Sequence, residues 1–351
     1  MPLTIMRSFA MKSNCIDNTG YNVQDLVTVI IVNWNGKELL PDCLGSLRKQ
    51  EFQNFSTILV DNGSSDGSLD LVSEFYPEIR IISLSENIGF AAANNVAFCQ
   101  AKTKYIALLN NDAMAHPQWL KQLTESLEND HGAGFAAARI VYYDNPEIID
   151  RAGDGYSTAG AGVLRGRGLK AKDYAQTQYI FGACAAAAMY RKAMLDHVGF
   201  FDPEFFLIYE DVDLSFRAQL SGYPCLYVPA AKVFHKVSSS IIRDSPVSIY
   251  YGHRNLEWVY FQNMPPGLLL RSLWAHALYD LAAFFYFAGK GMAKPFLRAK
   301  WHAIRSFKRV VKNRRRIQSE KRVVNAYLWG LMVRERFLPR LAMRMKKNED
   351  S

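Results

Sequence analysis

The sequence predicts an α/β protein with a mostly parallel central sheet flanked by helices, followed by a basic helical region. Short β-branched runs recur along the first third, each ending in polar or acidic residues and each followed by a helix-length segment, which is the rhythm of a parallel sheet. A second observation is the stretch Tyr209–Tyr223, where Glu210, Asp211, Asp213 and Arg217 crowd together directly after the apolar run Phe205–Ile208. The third is charge: the chain carries a net +9, yet Lys290–Asp350 alone holds 19 Lys and Arg against 4 Asp and Glu, so the basic character belongs to the tail.

Val27–Val32 reads as the first strand and ends in Asn33-Trp34-Asn35-Gly36. A helix over Leu39–Gln50 leads to the strand Ser56–Val60, which stops at Asp61 and enters the turn-forming NGSSDGS. Helix Ser68–Phe75, strand Arg80–Leu84 and helix Glu86–Gln100 follow, and the strand Tyr105–Leu109 empties into Asn110, Asn111 and Asp112. Ligands of open α/β sheets bind outside the C-terminal strand ends, so Asp112 stands where a phosphate-bound metal would be held. The alternative is an Asx turn into a helix around His116–Leu127. The loop Asp61–Ser68 contains neither the Gly-Lys-Ser/Thr of a P-loop nor a GxGxxG fingerprint, which excludes both nucleotide-binding classes.

Carboxylates as close as Glu210, Asp211 and Asp213 raise one another's pKa unless a cation or reacting group relieves them, which marks a site. A helix N-terminus with Arg217 paired to Asp213 at i+4 accounts for the same residues. The glycine-rich segment Asp150–Leu169 reads as a loop or loose hairpin of the kind that forms lids, too polar for a core element. In Tyr179–Tyr190, small residues permit close packing, and Cys184 reads as a small buried hydrophobe.

Six motifs in order then carry a resemblance: VTVIIVNWNG at Val27–Gly36, LVDNGSSDGS at Leu59–Ser68, ENIGFAAANN at Glu86–Asn95, ALLNND at Ala107–Asp112, FDPEFFLIYEDVDLSFR at Phe201–Arg217 and VFHKVSSS at Val233–Ser240. Over residues 27–240 the chain resembles family 2 glycosyltransferases of the GT-A fold, in their bacterial rhamnosyltransferase-like branch. The resemblance implies that Asp61 contacts the base of a nucleotide-diphosphate sugar donor, with Asn33, Asn35, Asn87, Asn95, Asn110 and Asn111 on the donor side. Asp112 matches the last position of the family's Asp-x-Asp metal motif and His235 a further ligand, implying Mg²⁺ or Mn²⁺. Asn110 departs from the motif, removing one negative charge and weakening the expected divalent binding. Asp211 matches the base of inverting members, with Glu210 and Asp213 positioning it or binding acceptor, and with Arg217 holding Asp213 or reaching toward acceptor. Arg165 and Arg167 are then placed to meet phosphates of a donor or a lipid-linked acceptor, with solvated surface charge as the alternative. The same branch implies L-rhamnose from dTDP-rhamnose and a glycan or polyprenyl-diphosphate-linked acceptor.

With 351 residues and 49% hydrophobic content, the chain can bury a sizeable core, organised as an extension over 1–24, a catalytic domain over 25–245 and a helical basic region over 246–351. The extension is expected to be loosely ordered and contains no apolar run long enough for a signal peptide. Five scattered cysteines without a CxxC pair suggest neither a disulfide framework nor a thiolate zinc site, in keeping with a cytoplasmic enzyme. In the tail, Leu297, Trp301, Ile304, Phe307 and Val311 recur at helical spacing among lysines and arginines, a pattern suited to peripheral binding on an anionic membrane surface. Gly267–Gly289 is apolar but broken by Arg271, His276 and Asp280, so an in-plane or partly buried helix is expected, with a helical subdomain packed on the catalytic sheet, its basic face solvated, as the alternative. A sugar-nucleotide nucleotidyltransferase is the competing enzyme class, disfavoured because Val29–Gly36 lacks a glycine-rich basic loop. A nucleic-acid-binding protein is the competing binding class, disfavoured because the basic residues follow an amphipathic stripe. The oligomeric state is not read from the sequence.

Overall fold

The computed structural model describes residues 25–237 and 244–334. The expected N-terminal extension and the serines closing the last motif lie outside the described residues. β1 (Val27–Asn33) pairs in parallel with β2 (Phe55–Asp61), and β2 with β3 (Arg80–Ser83). On its other side β1 pairs in parallel with β4 (Tyr105–Leu109). The crossovers are α1 (Leu40–Arg48), α2 (Ser68–Phe75) and α3 (Phe90–Phe98). Helix α1 starts with Pro41 in its first turn, where a missing N–H costs nothing. The strand spans follow their β-branched runs, but α3 begins four residues later than its pattern suggests because Asn87 caps a turn through Gly89 N–H (2.9 Å).

The second half completes a mixed sheet in the order β10-β12-β6-β11-β4-β1-β2-β3. Here β5 (Ala113–Ala115), α4 (Trp119–Asn129) and β6 (Phe135–Tyr142) are followed by β7 (Ile149–Arg151), β8 (Asp154–Tyr156), β9 (Gly162–Leu164), β10 (Gln178–Ile180) and β11 (Ala187–Arg191). Next come α5 (Lys192–Val198), α6 (Glu210–Leu220) and the long β12 (Cys225–His235). β11 runs antiparallel between β4 and β6, while β6 and β12 are parallel. The glycine-rich segment forms a hairpin, β8 against β9, but it is not a solvated loop. Asp150, Ala152, Asp154, Tyr156 and Val163 are all buried, which corrects the expectation that this segment is too polar for the interior.

The C-terminal helices are α7 (Pro246–Asn263), α8 (Pro266–Gly289), α9 (Ala293–Arg305), α10 (Phe307–Ser319) and α11 (Asn325–Leu331). Ser245 caps α7 by accepting from Ser248 N–H (3.2 Å), with Pro246 in the first turn. Trp258, Tyr260, Leu268, Val310 and Leu328 join the same apolar core as Ile30, Phe135 and Phe216 of the sheet and α6. The amphipathic stripe expected as one helix is two, α9 and α10, parted at Ser306. Among the described residues no helix is long and apolar enough to cross a membrane. Cys43, Cys99, Cys184 and Cys225 are free thiols.

Candidate active site

Strand register brings Asn33 directly beside Asp61 at the C-terminal ends of β1 and β2. Asn33 Nδ2 donates to Asp61 Oδ1 (3.1 Å), and Asn111 Nδ2, just beyond β4, donates to Asn33 Oδ1 (2.9 Å). Gly36 is what lets these amides meet: a Cβ there would lie 2.3 Å from Asn111 Nδ2 and 2.5 Å from Asn33 Oδ1. Ser64 N–H donates to the other Asp61 oxygen (3.0 Å), Asn35 N–H to Ser64 Oγ (2.9 Å), and Ser65 N–H to Asn35 Oδ1 (2.8 Å). Asp61 is only 1% exposed, so it organises the 62–67 loop and meets a base only if Ser64 N–H yields. Asn62 Nδ2 donates to Asn87 Oδ1 (3.0 Å), fastening the α3 turn to the same rim. Asn95 is spent elsewhere: its amide bonds both the carbonyl (2.7 Å) and the N–H (3.2 Å) of Phe201, so the expected donor-side contact is replaced by a structural tie.

The acidic helix joins this edge through one turn of backbone. Asn110 N–H donates to Ala186 O (3.0 Å), and Ala185 N–H donates to Asp211 Oδ2 (3.2 Å). Val212 N–H binds the other Asp211 oxygen (2.8 Å), fixing the carboxylate's orientation. Burial raises the Asp211 pKa against the opposing pull of these N–H groups and Arg151. Glu210 is buried with Oε2 unpartnered, and burial together with the Asp211 charge holds its pKa well up. A residue the sequence did not single out, Asp154, lies with Cys184 so close to Asp211 that their ligand atoms fall within 4.8 Å of one another. Burial lifts Asp154 to about 7 even though Arg151 Nη1 donates to it at 2.9 Å. Cys184, expected to be an inert small hydrophobe, is half-buried here, and burial pushes its thiol well up.

The backbone entering α6 is strained. Phe206 (φ 64°), Ile208 (φ 64°) and Tyr209 (φ 77°) are left-handed without being glycine, a costly conformation that clusters at functional sites. Asn255 on α7 clamps it, its Nδ2 reaching the carbonyls of Phe205 (3.0 Å), Leu207 (2.9 Å) and Ile208 (2.7 Å). From the hairpin, Gly162 N–H donates to Tyr209 Oη (3.0 Å).

On the other flank, the β5–β12 pairing sets His235 opposite Ala113 and hence beside Asp112. His235 Nε2 lies 3.1 Å from Asp112 Oδ1, and its Nδ1 lies 2.8 Å from Asp150 Oδ2. Burial alone would lower the His235 pKa, but the two carboxylates outweigh it and lift it to about 9. Asp150 is itself pushed up by burial, yet its bond to His235 and the nearby Arg151 and Arg167 bring it below its ordinary value. The Asp150 contact was not visible in the sequence.

Asp213 and Arg217 take the first of the roles expected of the pair, with Arg217 holding Asp213. Asp213 Oδ2 accepts from Arg217 Nε (2.7 Å), and its Oδ1 accepts from Gln262 (2.7 Å) and Asn263 (2.8 Å). Arg217 also donates to the carbonyls of Val198 (2.7 Å), Gly199 (2.9 Å) and Phe200 (2.6 Å), so it holds Asp213 and does not extend toward an acceptor. Arg165 and Arg167, expected to meet phosphates, are likewise held internally: Arg165 donates to Ala152 O (2.6 Å) between the Tyr174 and Tyr227 rings, and Arg167 pairs with Asp150 at 3.3 Å.

Comparison with known proteins agrees with this geometry. The glycosyl transferase family 2 model matches residues 28–199. N-acetylglucosaminyl-diphospho-decaprenol L-rhamnosyltransferase of Mycobacterium tuberculosis is 25% identical over 276 residues, 69% of this chain and 86% of its own. Among solved structures, the mannosyltransferase PcManGT from Pyrobaculum calidifontis, in complex with GDP-Man and Mn²⁺, superposes with a TM-score of 0.52 at 17% identity, covering 88% of this chain and 86% of its own. GalNAc-T7 with UDP, GalNAc and Mn²⁺ gives a TM-score of 0.55 at 16% identity, covering 69% and 48%. The sheet order and the polar strand ends are thus those of a GT-A fold, and residues 28–199 form a glycosyltransferase family 2 domain.

Proposed function

We propose that this glycosyltransferase moves L-rhamnose, with inversion, from dTDP-rhamnose to a hydroxyl of a polyprenyl-diphosphate-linked or cell-surface glycan. The observation that carries the reading is the convergence of three distant acidic segments: Asp61 beside Asn33 and Asn111, Asp112 beside His235, and Asp211 tied to the same edge through the turn at Ala185–Ala186. The rhamnose assignment draws on the mycobacterial relative alone.

In this mechanism Asp211 accepts the proton of the acceptor hydroxyl as its oxygen bonds to the anomeric carbon, while the bond from that carbon to the diphosphate breaks on the opposite face. Its raised pKa suits a base acting near neutrality. Glu210, buried against it with its pKa held well up, positions Asp211 or binds the acceptor. Asn33, Asn35, Asn87, Asn110 and Asn111 line the donor end, and Asp61 meets the base. Asp112 and, once it loses the proton that the two carboxylates hold on it, His235 would supply one carboxylate and one imidazole side by side, with Asp150 accepting from the far ring nitrogen, a donor set that fits Mg²⁺ or Mn²⁺. Bound there, the cation would neutralise charge growing on the leaving diphosphate. The enzyme is read as cytoplasmic and peripheral on a bacterial plasma membrane, held there by its C-terminal helices.

The test is Asp211→Asn assayed for transfer and for donor binding. Transfer is expected to vanish with donor affinity nearly unchanged, and retained turnover removes Asp211 as the base. The product identifies the class: nucleoside diphosphate is expected, whereas pyrophosphate would assign a nucleotidyltransferase.

A further inference from the structure

The outward face of α8 plays no part in the reaction just described. Leu270 (76% exposed), Trp274 (64%), Leu278 (50%), Leu281 (53%) and Phe285 (64%) follow one another at spacings of four, four, three and four, which aligns them in a single stripe. The buried residues of the helix, Leu268, Ser272, Ala275, His276 and Phe287, lie on the opposite side. Two of the ionisable groups that interrupt its sequence are accounted for within the protein: His276 bonds Glu257 (3.2 Å) and Ala159 O (2.8 Å), and Asp280 pairs with Lys300 of α9 at 2.5 Å. The exposed stripe is therefore purely apolar apart from Arg271 at its edge.

α9 packs along α8 through Phe284 and Phe296 (ring centroids 6.0 Å apart) and adds exposed Leu297, Trp301 and Ile304, with Phe307 at the start of α10. Exposed apolar surface on this scale marks an interaction site. Its electrostatic surroundings choose the partner: residues 266–319 contain 12 Lys and Arg against a single acid, Asp280, and Lys294, Arg298, Arg305 and Lys308 are exposed. A second copy would set this positive surface against itself, whereas a bilayer of anionic lipids complements it and takes up tryptophan and phenylalanine at its interface.

We infer that α8 lies in the plane of an anionic lipid bilayer, with the Leu270–Phe285 stripe sunk to the acyl boundary and the α9–α10 cations at the headgroups. The opposite face of the same helix reaches the active site. His276 stacks on Tyr260 (3.8 Å, 5°), and the two rings leave no room for a Cβ at Gly160, which sits in the hairpin that bonds Tyr209. That link to a lipid-linked acceptor rests on the sugar-transfer reading; the docking itself does not.

Vesicle flotation tests it on the full chain without donor or acceptor, so its failure is distinguishable from failure of the catalytic reading. The protein is expected to float with phosphatidylcholine–phosphatidylglycerol vesicles, weakly with phosphatidylcholine alone, and less as salt rises. Trp274→Gln, Leu278→Gln and Phe285→Gln together should reduce partitioning by at least about tenfold, given the apolar burial lost. Lys294→Gln, Arg298→Gln and Arg305→Gln together should remove the preference for phosphatidylglycerol, which keeps the inference testable if the apolar variant misfolds. Wild-type protein that stays with the pellet, flotation unchanged by either variant, or a dimer in sedimentation that the apolar variant dissociates would each overturn it.

Discussion

Replacing Asp154 with asparagine separates a base tuned by its neighbours from one that merely sits in a buried place. Asp154 and Asp211 present carboxylate oxygens within 4.8 Å. At an effective dielectric of about 20, two unit charges 4.8 Å apart repel by about 3.5 kcal/mol, which helps to hold Asp154 protonated beside an ionised Asp211. Arg151, 2.9 Å from Asp154, offsets much of this. Asp154, lifted to about 7, is still neutral while Asp211 ionises, so Asp154→Asn acts on the base by freeing Arg151 toward Asp211, which lowers its pKa. The acid limb of kcat/KM, read from nucleoside diphosphate release, should move to lower pH. Stability should respond as well. Asp154 rises from 3.8 to about 7 on folding, so the folded state holds the extra proton between those values and stability falls as pH rises through them. The variant should flatten that slope in urea titrations. An unmoved acid limb, or one moved upward, refutes the coupling.

Asn255→Ala releases three carbonyls of the strained entry to α6; the expected loss is about 2–3 kcal/mol in urea unfolding, with kcat falling more than KM changes. Arg217→Met leaves Asp213 buried without its cation and should cost about 3–5 kcal/mol. Wild-type stability with a raised acceptor KM would return Arg217 to the acceptor site. Asp150→Asn weakens the hold on His235 Nδ1 and should reduce Mn²⁺ affinity by about 10–100-fold in calorimetry with nucleoside diphosphate present. Unchanged affinity would count against His235 as a ligand.

The strand ends were legible because a strand is written in consecutive residues: β-branched runs stop at Asn33, Asp61 and Leu109, and the structure stops them there too. The acidic entry to α6 was legible for the same local reason. Misreadings arose where a charge found its partner far along the chain. Asp150 and Asp154 sit among glycines and look solvated, yet His235 and Arg151 make their burial tolerable. The pairing of Arg217 with Asp213 at i+4 was legible, but the carbonyls of Val198, Gly199 and Phe200 that turn it away from an acceptor carry no sequence signature. Asn255 had no local pattern to mark it.

By itself, then, the sequence determined which segments are strands, where their polar ends fall and that the positive charge gathers in the tail, because periodicity and composition act over neighbouring residues. Tertiary structure alone decided which carboxylates are held by backbone N–H groups and which are locked in ion pairs, and it turned His276 and Asp280 inward so that α8 presents an apolar face. Those outcomes depend on what burial brings within hydrogen-bonding reach, and a buried charge is stable only beside a partner supplied by a distant part of the chain.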